Sequence, residues 1–184
     1  MTKDEIRKKL LHERLSLTPE WVRENSDIIQ EHLIKSPLWP QKGRIGIYSS
    51  IKNEVQTHRL FQTALEQGLH VYFPRVEQGL CFYEVNGPEE LQRGAWAIPE
   101  PQKHCQGLGD DEKFELIVVP GVVFTRDCRR IGYGRGFYDR VITEISMRSL
   151  ALAFDFQVLD NFPDDTWDKR IDGVLTEKRL YKIS

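Results

Sequence analysis

Residues 131–140 of this 184-residue chain read IGYGRGFYDR. Gly132, Gly134 and Gly136 alternate with larger residues and lead into Tyr138 and Asp139, with Arg129 and Arg130 just before. Glycine permits positive φ and lets a backbone approach a ligand with no Cβ in the way. Set directly before a helix, three glycines can turn several backbone N–H groups toward one anion, and the positive helix end adds its attraction. With Arg129, Arg130 and Arg135 around it, the segment has the chemistry of a phosphate cradle. The same glycines also suit a turn that merely lets a strand and a helix pack closely, and the pattern alone leaves both readings open. Neither familiar nucleotide signature is present. No Lys-Ser/Thr pair follows, as GxxxxGK[ST] requires, and the residue three after Gly134 is Phe137 where GxGxxG needs glycine.

Asp139 falls in the first turn of the expected helix, where a carboxylate favours the dipole by about 0.3–1 kcal/mol. Beside a phosphate site the same group can hold Mg2+, which takes one or two carboxylates together with phosphate oxygens and waters. Asp164, Asp165, Asp168 and Asp172 in PDDTWDKRID offer a second carboxylate, and spacing does not choose among them. At about 100° per residue, Lys3, Arg7 and Arg14 fall within about 40° of one another beside an apolar stripe of Ile6, Leu10 and Leu17. That row either reaches into a cleft or lines a solvated edge. His12, His32, His58, His70 and His104 show no metal-ligand spacing. Cys81, Cys105 and Cys128 have no evident catalytic partner, and their odd number and wide separation suit a reducing cytosol better than a disulfide framework.

The elements that must position these residues alternate. Residues 3–17 read as a helix, and a second runs from Pro19 to about Lys35 with Thr18 as its N-cap. RIGIYSS (44–50) reads as a short buried strand. Val55, Leu60, Phe61, Ala64 and Leu65 then follow helical spacing to a stop at Gly68. HVYFP (70–74) closes a strand–helix–strand unit, and LCFYEV (80–85) is a third strand near an edge. Residues 86–113 lack periodicity, and a segment this long in a compact domain is more often functional than a spacer. FELIVVPGVVF (114–124) reads as the central parallel strand, apolar on both faces. A helix over 136–147, the strand LALAF (150–154) and a last strand in DGVLTE complete the series. This alternation predicts a three-layer α/β/α fold with a mostly parallel or mixed central sheet. Ligands in such folds sit beyond the carboxyl ends of strands, where the glycine segment falls.

Composition narrows the function. Hydrophobic residues make up 40% and charged residues 29%, as in folded rather than disordered chains. A net charge of −2 gives no general reason to expect nucleic acid as a partner. The start MTKDEIRKKLLHERL has acidic residues and no apolar h-region, so no signal peptide is expected. The longest apolar run, LIVVPGVVF, is about half the ~20 residues of a spanning helix and is broken by Pro120 and Gly121. We expect one domain over 1–184, acting as a soluble cytoplasmic monomer on a small molecule, with no nucleic-acid or membrane partner.

The block PGVVFTRDCRRIGYGRGFYDR (120–140) resembles the signature of the 5-formyltetrahydrofolate cyclo-ligase (methenyltetrahydrofolate synthetase) family. That signature is PG, a phenylalanine, a spacer, then R-[LI]-G-Y-G-x-G-[YF]-Y-D-R. KDEIR, YSSIKNEVQT (48–57), FPRV (73–76), WAIPEP (96–101), LAFDFQ (152–157) and the P…D…D…LTE tail agree in order, so the resemblance spans nearly the whole chain. It implies closure of 5-formyltetrahydrofolate to 5,10-methenyltetrahydrofolate with ATP and Mg2+, releasing ADP and phosphate. It further implies that the formyl oxygen attacks the γ-phosphate and that the N10 amine then displaces phosphate. By motif position, Lys3 and Arg7 match ATP-contacting cations. Arg130, Ile131, Gly132, Tyr133, Gly134, Arg135, Gly136, Phe137 and Tyr138 match the ATP-phosphate loop, with Arg130 and Tyr138 in catalytic roles. Tyr133, Gly134, Arg135, Gly136 and Phe137 also face the folate. Ser49, Glu54 and Trp96 match substrate contacts, Glu54 as the glutamate that holds the pterin. Asp139 and Asp168 match the magnesium aspartates. Arg135 stands where a small residue or lysine is common, and Phe137 replaces the usual tyrosine and removes a hydroxyl contact.

Two other classes fit less well. A sugar-phosphate isomerase or acyl-CoA transferase on a similar scaffold would need a catalytic Glu or base motif that is not evident. A non-catalytic folate- or nucleotide-binding protein need not keep Asp139, Glu54 and the basic N-terminus together.

Overall fold

The chain opens with two helices, α1 (Lys3–Leu15) and α2 (Pro19–Lys35), each begun by a threonine. The Thr2 side chain accepts from Glu5 N–H while the Glu5 carboxylate returns to Thr2 N–H at 2.7 Å. Thr18 accepts from Trp21 N–H at 3.2 Å, and Pro19 fills the first helical position, where its missing N–H costs nothing. These contacts belong to a computed structural model that describes residues 1–94, 97–163 and 170–182.

β1 (Arg44–Gly46), α3 (His58–Glu66) and β2 (His70–Val76) make the expected strand–helix–strand unit, and β3 (Leu80–Glu84) folds back antiparallel on β2. The helix begins at His58, leaving Val55 of the expected helical spacing before it, since Lys52 and Asn53 take left-handed φ of 49° and 57° and turn the chain first. The segment 86–113 is not featureless: β4 (Leu91–Arg93) and β5 (Pro99–Pro101) pair antiparallel within it. Then come β6 (Leu116–Val119), β7 (Val123–Thr125), β8 (Arg130–Ile131), α4 (Phe137–Ile145) and β9 (Ser149–Leu152). β10 (Val158–Leu159), β11 (Gly173–Leu175) and β12 (Leu180–Lys182) follow.

The main sheet runs β12-β11-β9-β6-β1-β2-β3, with five parallel strands inside and an antiparallel strand at each edge. β6 is central, as the sequence predicts, but FELIVVPGVVF is two strands rather than one. Pro120 has no N–H to give the ladder. The chain leaves the sheet there, and its second half joins a separate sheet, β10-β7-β8.

Alternation decides the layers. Leu116 and Val118 of β6, with Leu150 and Leu152 of β9, face one core together with α2 and α3. Ile117, Val119 and Ala151 face the opposite core with Ile142 of α4. Each such side chain, fully buried, contributes roughly 1.5–3 kcal/mol, so both faces hold the sheet between helices. A third cluster sets Ile6 and Leu10 of α1 against Val122, Val123 and Ile131. α1 thereby docks on the small sheet with its basic row beside the glycine segment.

Candidate active site

In the main sheet, β1 leads to β2 on one side while β6 lies on its other side, so the chain reverses its winding between β1 and β6. Loops leaving the carboxyl ends of two such strands diverge and open a crevice. A cleft of about 670 Å³ lies there, lined by 48–54 after β1, Pro120 after β6, and the glycine segment before α4.

The β7–β8 turn folds the glycine segment back over Pro120, with Val122 N–H bonded to the Ile131 carbonyl at 2.8 Å. Each glycine then has its own reason. Gly134 and Gly136 take φ of +91° and +66°, a region L side chains enter at a cost. A Cβ at Gly132 would lie 2.6 Å from an Arg130 guanidinium nitrogen. α4 starts at Gly136 with no side-chain cap, so its leading N–H groups are left for the cleft. Arg7 Nε donates to the Gly132 carbonyl at 2.8 Å and fixes the loop to α1. Arg130 donates to the Pro120 carbonyl at 3.1 Å and pairs with Asp139 Oδ1 at 2.6 Å, while its buried Nε has no partner among the described residues. Lys3 and Arg135 lie on the same cleft.

Arg129 departs from the expected cluster. Arg129 stands just before β8, at the end of the β7–β8 turn, and points the other way from Arg130. Its guanidinium therefore meets Asp127 at 3.2 Å, the Phe162 carbonyl at 3.3 Å and Asn161, away from the glycines.

The other wall carries a buried carboxylate. Glu54 Oε2 accepts from Ile51 N–H at 2.9 Å and Oε1 from the Tyr133 hydroxyl at 2.8 Å. Burial raises its pKa above the ordinary carboxylate value, with Arg14 and these hydrogen bonds pulling it back down. Burial likewise pushes the phenols of Tyr133 and Tyr138 far up, and nearby Glu54 adds to this, so both remain neutral donors. Ser49 lies on this wall, its hydroxyl bonded to the Pro99 carbonyl at 2.7 Å. The arrangement puts a cationic N–H cradle and a buried carboxylate on the walls of one cleft, joined by the Tyr133–Glu54 hydrogen bond.

A model of the 5-formyltetrahydrofolate cyclo-ligase family matches residues 1–177. The chain belongs to that family. A solved methenyltetrahydrofolate synthetase of Aquifex aeolicus is 34% identical, with a TM-score of 0.88 over 100% of this chain and 93% of that one. The mouse 5-formyltetrahydrofolate cyclo-ligase is 27% identical over 191 residues, 94% of this chain and 92% of its own length. A Caenorhabditis elegans protein named "Probable 5-formyltetrahydrofolate cyclo-ligase" is 28% identical over 176 residues, 88% of this chain and 85% of its own.

In this cyclo-ligase-family chain, the cleft collects Lys3, Arg7, Ser49, Glu54 and the whole run from Arg130 to Asp139. Trp96 and Asp168 lie outside the described residues. Sequence reasoning missed Tyr48, Lys52, Pro74, Ile98 and buried Glu100, which also line the cleft. Glu100 sat within a family segment, WAIPEP, with nothing in its spacing to mark it. Arg14 was visible as a member of the basic row, but its contacts were not. Among the described residues, Glu90, His104 and Cys105 bring donor atoms within 4.8 Å of one another, a grouping that spacing did not show. Glu90 already accepts from Asn86 N–H at 2.7 Å and meets His104 at 3.4 Å, and burial raises the Cys105 thiol pKa, so the trio ties the ends of the β4–β5 pair.

Proposed function

We propose that this protein closes 5-formyltetrahydrofolate to 5,10-methenyltetrahydrofolate with ATP and Mg2+, releasing ADP and phosphate, as one cytoplasmic domain over 1–184. The observation that carries the reading is one cleft whose lining holds both the glycine cradle, with an Arg130 Nε that has no partner among the described residues, and the buried Glu54 carboxylate.

The site fits the triphosphate. A buried guanidinium with a donor to spare, uncapped helix N–H groups, and Arg7 and Lys3 beside them form a cationic, preorganised surround for phosphate oxygens. Asp139 lines the cleft with its side chain half exposed and would supply a hard oxygen donor for Mg2+ beside its pair with Arg130, with Asp168 as the second by family position. Bound there, the ion would neutralise charge on the phosphates.

Formyl oxygen is a poor leaving group until it is phosphorylated. The formyl O–P bond forms as the bond from γ-phosphorus to the ADP oxygen breaks. The N10 amine then adds to the formyl carbon, loses its proton, and the C–O bond to phosphate breaks. Arg130 and the loop N–H groups stabilise charge on the transferred group, and Tyr138 stands beside them as a neutral donor. Glu54 orients the pterin by accepting from its N–H groups. These are roles of positioning and charge stabilisation.

The test follows the near-ultraviolet absorbance of the conjugated N5–CH=N10 product with 5-formyltetrahydrofolate and MgATP. Growth that needs ATP, Mg2+ and folded protein supports the reading. A flat trace from well-folded protein at raised Mg2+ overturns it.

A further inference from the structure

Arg14 is 1% exposed, a guanidinium closed inside the fold with no carboxylate in direct contact among the described residues. Burying such a charge is costly unless its donors are all used to effect. Its Nε donates to the Lys52 carbonyl at 3.0 Å, one Nη to the Gly121 carbonyl at 2.9 Å, and the other Nη to the Tyr133 hydroxyl. Those partners belong to the three segments that make the cleft: the turn before Glu54, the break after β6, and the glycine loop. The turn is fastened from the other side too, since Asn53 Nδ2 donates to the carbonyls of Arg14 and Leu17, both at 3.1 Å. That clamp holds Lys52 and Asn53 in left-handed conformations that non-glycine residues rarely adopt.

The polarity of the chain Arg14–Tyr133–Glu54 is forced. Arginine only donates, so the Tyr133 oxygen must accept from Arg14, and its single proton is then directed to Glu54 Oε1. Glu54 Oε2 meanwhile accepts from Ile51 N–H. Both carboxylate oxygens therefore face donors, and their remaining lone pairs can take only further donors.

We propose that Arg14 is a positioning residue of the reaction: through the Tyr133 hydroxyl it aims the Glu54 carboxylate at the N–H donors of the folate. This rests on the proposed function for the identity of the ligand. The groups facing Glu54 are Arg14 from α1, Lys52 and Tyr48 on its own stretch after β1, and Tyr133 and Tyr138 from the glycine segment and α4. Arg14 and Lys52 are the cations among them and favour the carboxylate form.

The test is calorimetric titration of 5-formyltetrahydrofolate, without ATP, into wild type, Arg14→Gln, Arg14→Lys, Tyr133→Phe and the Arg14→Gln/Tyr133→Phe double variant. Arg14→Gln is expected to weaken the folate by about tenfold, the scale of one charge-assisted hydrogen bond, and by no more than about twofold in the Tyr133→Phe background. Arg14→Lys recovers part of the loss, and the acid limb of folate binding moves to higher pH in Arg14→Gln. An Arg14→Gln protein that melts lower yet binds folate as wild type does overturns the inference, as does an equal loss in both backgrounds. Wild type that binds the folate but does not turn it over with MgATP fails the proposed function alone. Wild type that does not bind the folate overturns both.

Discussion

Arg130 and Asp139 meet at 2.6 Å across the mouth of the glycine loop, the cation almost wholly buried and the carboxylate half open. One Asp139 oxygen neutralises Arg130, and the half-open residue also lines the cleft, so under the proposed function it serves structure and chemistry at once. Asp139→Asn keeps the shape and removes the charge from both duties. We expect a stability loss of about 1–3 kcal/mol, because a buried guanidinium loses its counter-charge. We expect a fall of at least about a hundredfold in turnover, only partly restored by excess Mg2+. Thermal melting alongside initial rates checks this, and matched small losses in both would reduce Asp139 to a helix-start charge.

Gly132 and Gly136 should separate in their effects. Gly132→Ala puts a methyl where the Arg130 guanidinium lies, and a flexible side-chain end can move aside. The variant should fold normally and lose activity. Gly136→Ala meets nothing within 4 Å, so only its φ of +66° is penalised, by about 1 kcal/mol. Gly136→Asn should be milder, since asparagine visits that region more readily. Melting temperature and kcat/KM for ATP, measured on these three variants, distinguish a packing role from a cradle.

Glu54 sets a pH dependence of known sign. Its pKa is raised in the folded state, so between the ordinary carboxylate value and that raised value the folded chain binds more protons than the unfolded one. Stability from this group is present at low pH and lost as pH rises through that window. Glu54→Gln has no such group. Its melting temperature relative to wild type should climb from about pH 4 toward neutrality, while folate binding falls. A difference that is flat with pH would mean Glu54 titrates normally.

Cys128 is buried, and burial together with neighbouring Asp127 and Asp172 pushes its thiol up to about 11. The thiolate is the reactive form. At mildly alkaline pH an aromatic disulfide reagent should label half-buried Cys81 first and leave Cys128 until the protein unfolds. Peptide mapping of the modified sites reads the order directly.

Much of this was legible along the chain. The glycine spacing, the two threonine caps, the alternation of strands and helices and the family motifs are local patterns, and local patterns survive in one dimension. The order of residues therefore determined the fold class, the family and most of the cleft. It left other matters to the folded state. Whether FELIVVPGVVF was one strand or two depended on a second sheet waiting beyond Pro120. Arg129 and Arg130 look equivalent side by side, yet the fold sends one, in the β7–β8 turn, to Asp127 and Asn161 and the other, on β8, to Asp139. Arg14, at the end of a basic row, was as plausible in solvent as in a cleft. Only tertiary packing could seal it against carbonyls and a phenol from three distant segments, because those partners lie 38, 107 and 119 residues away and sequence spacing carries no record of such contacts.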